Sequence, residues 1–360
     1  MTVEEVELRR VALSLATPFR TAAGTTSVRD LLLVRVGTEE GDGWGECAAL
    51  SDPGYTSEYV DGAQAVIERY LAPALLAGAD AVRVVGHHMA KAAVEGAVLD
   101  VSLRAEGRSL AEFLGASQAR VPAGAAIGLT GSVPGLLDRV AAAVAEGYRR
   151  VKLKIGPGWD MVPLAAVRER FGDDLGVQVD ANGSYTVDDL DHLAGLDRFG
   201  LLLVEQPLPA DDLLGHAAVA GRLQTPVCLD ESIQSADDAV TALELGACSV
   251  VNIKPGRVGG YREARRVHDV CVERGIPAWC GGMLESGIGR AAALAVAALP
   301  GFTLPADLSA SARYYAEDLT EPFVLDADGC LPVPTGPGIG VTPRLDVLDA
   351  VTTSVVHIRP

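Results

Sequence analysis

Val151-Lys152-Leu153-Lys154-Ile155, Gln178-Val179-Asp180-Ala181-Asn182, Leu203-Val204-Glu205-Gln206-Pro207, Cys228-Leu229-Asp230-Glu231-Ser232 and Val251-Asn252-Ile253-Lys254-Pro255 follow one another through the middle of the chain. Each is a short apolar run that ends in polar or charged residues. Strand alternation in the first sends Val151, Leu153 and Ile155 to one face and Lys152 and Lys154 to the other. From Lys154 to Asp180, Glu205, Asp230 and Lys254 the steps are 26, 25, 25 and 24 positions, and the gaps hold helix-like segments such as 188–199. Repeated βα units of that length, without a long interruption, predict a closed parallel barrel. Functional residues in such a barrel come from the C-terminal ends of several strands. Asp180, Glu205 and Asp230 are therefore expected to converge, with Lys154 and Lys254 on either flank.

Three carboxylates aimed at one point repel unless a cation neutralises them. Oxygen ligands without Cys or His favour Mg²⁺, with Mn²⁺ as a substitute, over zinc. Such an ion, holding a substrate carboxylate, would stabilise the negative charge that develops when the neighbouring carbon loses a proton. Lys154 and Lys254 would supply the base, since a lysine near a metal and a second lysine has its ammonium form disfavoured. Lys152, one layer deeper, is read as a counter-ion for the carboxylates. Asn182 and Glu231, two and one positions after the ligand candidates, are expected to orient them. One acidic residue at a strand end is ordinarily a helix cap or a solvated loop residue. Five charged residues at one spacing would require that accident on consecutive units.

The chain has 360 residues, more than the roughly 250 of a plain barrel, so about a hundred are expected to form a second unit. Hydrophobic residues make up 49%, charged residues 22%, and the formal net charge is −18. That charge argues against nucleic acid and anionic membranes as partners and favours solubility. The six cysteines show no paired spacing, which suits reduced thiols, and the acidic start at Met1–Glu5 lacks the basic and apolar regions of a signal peptide. The longest apolar run, 291–299, is too short to span a bilayer, so a cytoplasmic location is expected.

Residues 1–119 read as an α+β capping domain, completed by 323–360 from the C-terminus, and 120–322 as the barrel. Val3 to Leu15 and Leu31 to Val36 are expected to be strands joined by a long connection over 16–28. Phe19 in that connection is either a substrate contact or an anchor for its loop. Asp61 to Leu76 and Ala90 to Leu114 read as helices, Val121 to Leu129 as the first barrel strand and 304–308 as a short last one. Arg257, three positions past Lys254, is either a fixed charge that depresses the lysine pKa or a loop-surface arginine. Gly281 and Gly282 are expected to let backbone approach a ligand. Gly282, Met283 and Leu284 are candidates for the substrate pocket wall, Met283 equally for ordinary core.

The K-x-K run, D-A-N, E-Q-P, D-E-S and the later lysine resemble the enolase superfamily in its muconate-lactonizing subgroup. Within it the chain is most similar to o-succinylbenzoate synthases of the type that also racemise N-succinylamino acids, from the Pro18-Phe19 loop to the Pro334–Gly340 tail. The resemblance implies a modified (β/α)₇β barrel of the TIM type with an α+β capping domain, a Mg²⁺ cofactor and a lysine base. It implies substrate-carboxylate contact for Lys152, loops that close over the barrel mouth, and a homo-oligomer. The reaction implied is Mg²⁺-dependent dehydration of 2-succinyl-6-hydroxy-2,4-cyclohexadiene-1-carboxylate to o-succinylbenzoate, a step of menaquinone biosynthesis, with N-succinylamino acid racemisation beside it. Racemisation as the main role, and muconate cycloisomerisation, fit the same two lysines. None of the six histidines falls at a barrel strand end, which disfavours the branches that use a His-Asp pair. Dipeptide epimerases carry an Asp-x-Asp pair on the last strand, where this chain has Asp307-Leu308-Ser309. A catalytically silent barrel kept as a scaffold would be expected to have lost a ligand or a lysine, and none is missing.

Overall fold

The computed structural model describes residues 2–21, 24–79 and 83–360. Strands β1 (Val3–Thr21), β2 (Gly24–Thr38) and β3 (Gly41–Cys47) form an antiparallel meander. The long connection expected at 16–28 is instead mostly ladder: β1 and β2 stay paired out to Thr21 and Gly24, with an irregularity between Ser14 and Phe19. Pro18, which has no N–H to give a ladder, falls within that irregularity, and Thr25, Thr26 and Val28 suit a pleated strand. Ala22 and Ala23 lie outside the described residues.

Alternation in β2 decides what the sheet touches. Leu32, Val34 and Val36 pack with Ala90, Ala93, Ala97 and Val101 of the helix His88–Glu106, while Leu31 and Leu33 join the barrel core. The meander is thus sandwiched between its own helices and the barrel. The helix expected at 90–114 is broken. Gly107 adopts φ 67° after Glu106, and Ser109 and Glu112 form a capping box that starts a second helix, Leu110–Leu114. The segment 60–76 widens into a π turn at Ile67–Leu71, shortly before Pro73, which has no N–H for the next helical bond.

The expected first barrel strand divides in two. Strand β4 (Arg120–Pro122) turns away to pair with a C-terminal strand, and β5 (Ala125–Ile127) opens the parallel sheet. The sheet continues with β6 (Arg150–Lys154), β7 (Gly176–Asp180), β8 (Val204–Glu205), β9 (Val227–Leu229), β10 (Val250–Ile253) and β11 (Ala278–Cys280), each paired with the next. Segment 302–307 closes the gap without forming a ladder strand. Thr303 and Asp307 N–H donate to Ala278 and Cys280 carbonyls at 3.2 and 3.0 Å, Ala306 N–H donates to Pro122 at 2.9 Å, and Ala306 O accepts from Gly124 at 2.7 Å. The result is an α/β modified (β/α)₇β barrel with an α+β cap. Strand β12 (Cys330–Pro332) is the partner of β4, and β13 (Thr352–Ile358) returns the chain to the capping sheet beside β1. Among the described residues no helix is long and apolar enough to cross a membrane.

Candidate active site at the barrel mouth

The two-residue period of β6 turns Arg150, Lys152 and Lys154 inward, while Val151 and Leu153 pack in the barrel core. Parallel register then sets Lys154 beside Asp180 and Asp180 beside Glu205, with Asp230 just past the end of β9. Lys254 caps β10. Counting 302–307 as the eighth position, β6 and β10 stand four apart around the barrel, so the two lysines approach its axis from opposite sides.

The carboxylates turn to the lysines. Lys154 Nζ lies 2.6 Å from Asp180 Oδ2 and donates to Asn182 Oδ1 at 2.6 Å; Asn182 Nδ2 donates to Glu231 Oε1 at 2.8 Å. Lys152 Nζ reaches Asp307 Oδ2 at 2.5 Å, Glu205 Oε2 at 3.1 Å and Asp180 Oδ2 at 3.2 Å. Lys254 Nζ meets Asp230 Oδ2 at 2.7 Å, and Arg257 pairs with Asp230 Oδ1. Above these groups opens a cavity of about 370 Å³ whose lining includes Phe19, Lys152, Lys154, Asn182, Glu231, Lys254, Gly282, Met283 and Leu284. Met283 also packs in the cap core. Asp180, Glu205 and Asp230 lie buried below that lining, and Arg257 is buried behind Asp230 rather than at a loop surface.

Burial raises the Asp180 carboxyl, but the charges of Lys154 and Lys152 outweigh it and hold the group below the usual range. Asp230 is lowered likewise: burial opposes, and Lys254 and Arg257 prevail. Glu205 goes the other way, pushed up to about 8 by burial and the Asp180 charge. Its Oε2 has Lys152 within 3.1 Å yet no aligned hydrogen bond, and Glu231 Oε2 and Asn252 Oδ1 are also buried without one. Lys254 is held charged: burial favours its neutral form, but Asp230 and then Tyr55 raise its pKa. A further cation drawing on the Asp230 charge would bring the free amine within reach.

The fit to a divalent ion rests on the donors. Asp180, Glu205 and Asp230 offer only oxygen, from neighbouring strand ends, and Glu205 is an under-compensated buried carboxylate. As the side chains stand, no three acidic, histidine or cysteine groups among the described residues gather closely enough to hold an ion.

Several participants escaped the sequence reading. Asn252 Nδ2 donates to Glu205 Oε1 at 2.8 Å, and Arg150 pairs with Asp307. Both stand two positions before a lysine on the same strand face, so the alternation that singled out Lys152 and Lys154 also reaches them. Tyr55 carries no such signal. It comes from the loop after β3, donates to Asp230 Oδ1 at 2.8 Å, accepts from Lys254 Nζ at 3.0 Å, and sets its ring 4.5 Å below that nitrogen. At Gly281 an added Cβ would stand 2.4 Å from Asn252 Oδ1 and 2.6 Å from Lys254 Cε, so its glycine makes room for those two side chains. Of the four non-glycine residues at positive φ among the described residues, Asn182, Gln206 and Leu284 line the cavity, at 44°, 40° and 60°. Such backbone costs on the order of 1–3 kcal/mol each and concentrates at functional sites.

Comparison with known proteins agrees with this geometry. Residues 3–115 match the mandelate racemase/muconate lactonizing enzyme N-terminal domain, and 135–347 match the enolase C-terminal domain-like family. An N-succinylamino acid racemase of Amycolatopsis sp is 59% identical, covering 99% of this chain and 100% of that protein. An o-succinylbenzoate synthase of Geobacillus stearothermophilus is 46% identical over 94% of this chain and 93% of its own. A solved enolase-superfamily structure from Listeria innocua superposes with a TM-score of 0.94 at 40% identity, covering 100% of this chain and 99% of that one.

Proposed function

Since the chain belongs to the mandelate racemase/muconate lactonizing enzyme family of the enolase superfamily, we propose that it abstracts a proton next to a carboxylate. The substrates proposed are 2-succinyl-6-hydroxy-2,4-cyclohexadiene-1-carboxylate, dehydrated to o-succinylbenzoate, and N-succinylamino acids, racemised. The observation that carries this is the pair of lysines facing one cavity from opposite strands above three buried carboxylates.

Asp180, Glu205 and Asp230 would hold Mg²⁺, and Asn182, Glu231 and Asn252 would orient them. Bound there, the ion supplies positive charge against the negative charge that gathers on the substrate carboxylate as the neighbouring carbon is deprotonated. Lys152, pinned by Asp307, keeps its charge and binds the same carboxylate. In dehydration the Lys154 amine takes the α-proton. The resulting ammonium returns a proton to the departing hydroxyl on the same face, so water leaves and the ring becomes aromatic. Racemisation needs Lys154 on one face of the carbon and Lys254 on the other, one removing and the other returning a proton.

The test is turnover by the Mg²⁺-loaded chain, with deuterium exchange into each enantiomer of N-succinylphenylglycine. Both reactions are expected, and both should stop on chelation. Absence of both reactions at saturating metal would refute the proposal. The higher identity to the Amycolatopsis racemase favours a second reading, racemisation as the main role; it predicts the larger kcat/KM on the N-succinylamino acid.

Tyr55→Phe is a sharper probe of the Lys254 side. It removes the hydroxyl that bridges Lys254 and Asp230 while leaving the ring in place. Exchange on the Lys254 face should fall about tenfold, the scale of one charge-assisted hydrogen bond. Exchange on the Lys154 face should change far less, and single-turnover deuterium uptake by each enantiomer separates the two.

A further inference from the structure

The cavity wall at Gly282-Met283-Leu284 is held in place by contacts from several directions. Leu284 sits at φ 60°, a conformation that persists only where its surroundings fix it. Tyr315 Oη donates to the Leu284 carbonyl at 2.5 Å, Arg290 donates to the Glu285 carbonyl at 2.8 Å, and Met283 N–H donates to Glu285 Oε2 at 2.8 Å. The fourth tie comes from the capping sheet. Glu46 on β3, buried and 240 positions away in sequence, accepts from Ser286 N–H at 3.1 Å, from Ser286 Oγ at 2.5 Å and from Gly289 N–H at 3.1 Å. Ser286 is the cap of the helix Gly287–Ala297, so one carboxylate holds both the end of the wall and the first turn of the helix behind it. Burial pushes the Glu46 carboxyl up to about 7, so its three donors hold it against a desolvation cost. Gly289 keeps the approach open, since an added Cβ would lie 2.9 Å from Glu285 Cβ and Cγ and 3.0 Å from Glu46 Cδ.

We infer that Glu46 is a positioning residue for substrate selection: through its carboxylate the capping sheet sets where Met283 and Leu284 stand, and so which substrate side chain the cavity admits. The inference rests on the N-acylamino acid reading above for its substrate class. A merely stabilising set of hydrogen bonds would not make one substrate's KM depend on it more than another's.

The test uses the Mg²⁺-loaded full chain as Glu46→Ala, Glu46→Gln and Gly289→Ala. Hydrogen exchange is measured first because it does not depend on turnover. Amides 283–289 in Glu46→Ala should lose protection about tenfold while β6 to β8 keep theirs. Glu46→Gln should retain most protection, since its amide oxygen still accepts from Ser286. Gly289→Ala, whose added methyl crowds the Glu285 side chain and the Glu46 carboxylate together, should behave like Glu46→Ala. With N-succinylphenylglycine and N-succinylalanine as probes, Glu46→Ala should raise KM for the bulky substrate about tenfold more than for the small one, with kcat changed less than about threefold. Unchanged protection overturns the inference, as does an equal fall in kcat on both substrates at constant KM. A wild-type chain that turns over neither substrate refutes the proposed reaction instead. In that event loss of protection in Glu46→Ala still upholds the tie between sheet and wall, and unchanged protection overturns it.

Discussion

Lys254→Arg is expected to lower racemisation on the order of 10²–10⁴-fold while retaining more of the dehydration, and Lys154→Arg to lower both. The asymmetry follows from where the protons go. Dehydration uses one face, so the lysine that takes the α-proton can also help the hydroxyl leave. Racemisation needs a base on one face and an acid on the other, and a guanidinium does not deprotonate near neutral pH. On the opposite face in dehydration, Lys254 contributes charge, which arginine keeps. The structure adds a steric condition. Lys254 Cε runs close over Gly281, and its Nζ sits between Asp230 and Tyr55, so the larger head group will strain that corner. Lys254→Ala serves as the control: it relieves the crowding and removes the charge, and should cost dehydration more than Lys254→Arg does if charge is the lysine's role there. Single-turnover deuterium exchange on each enantiomer of N-succinylphenylglycine shows which face stays active. Equal loss of both reactions in both arginine variants would contradict the division of labour.

What the sequence made legible was what period alone controls. Five runs at one spacing predict a parallel barrel, and alternation within β6 and β10 turns lysines inward, because both follow from backbone geometry. Two contributions were hidden for physical reasons. Loop-borne groups such as Tyr55 reach the site through tertiary packing that no short-range pattern encodes. Edges of elements depend on which neighbour takes a hydrogen bond: Val121 to Leu129 divides because β4 finds β12, two hundred residues later, a better partner than the barrel. The break at Gly107 was readable, since Ser109 and Glu112 spell a capping box, but helical periodicity on either side masked it. The counter-ion role of Asp230 was hidden for the same reason as Tyr55. Sequence spacing places Arg257 near Lys254 but cannot show that Asp230 stands between them and engages both.

That last point changes what Asp230→Asn should do. Treated as three bare carboxylates, the cluster is repulsive, and removing one charge should harm only the ion. In the folded chain Asp230 is instead the shared counter-ion of Lys254 and Arg257, and all three are buried. Asparagine keeps the volume and can still accept one hydrogen bond, but it leaves two buried cations facing a neutral amide. Breaking a buried pair by removing one partner costs about 3–5 kcal/mol, and the remaining acceptors of Arg257, the carbonyls of Ile233 and Asn252, soften that loss. The metal-free variant should therefore fold, with a lower melting temperature than the metal-free parent. Addition of Mg²⁺ should not close the gap, because the residue lost is also one of the three oxygen ligands. Mg²⁺ affinity should drop by at least on the order of 100-fold, the upper scale for disturbing a group that merely supports a ligand, and turnover should drop with it. Circular dichroism melts with and without Mg²⁺, a metal titration and a rate assay read the three effects separately. Unchanged Mg²⁺ affinity with full turnover would take Asp230 out of the metal site and leave it as the counter-ion of Lys254 and Arg257 alone.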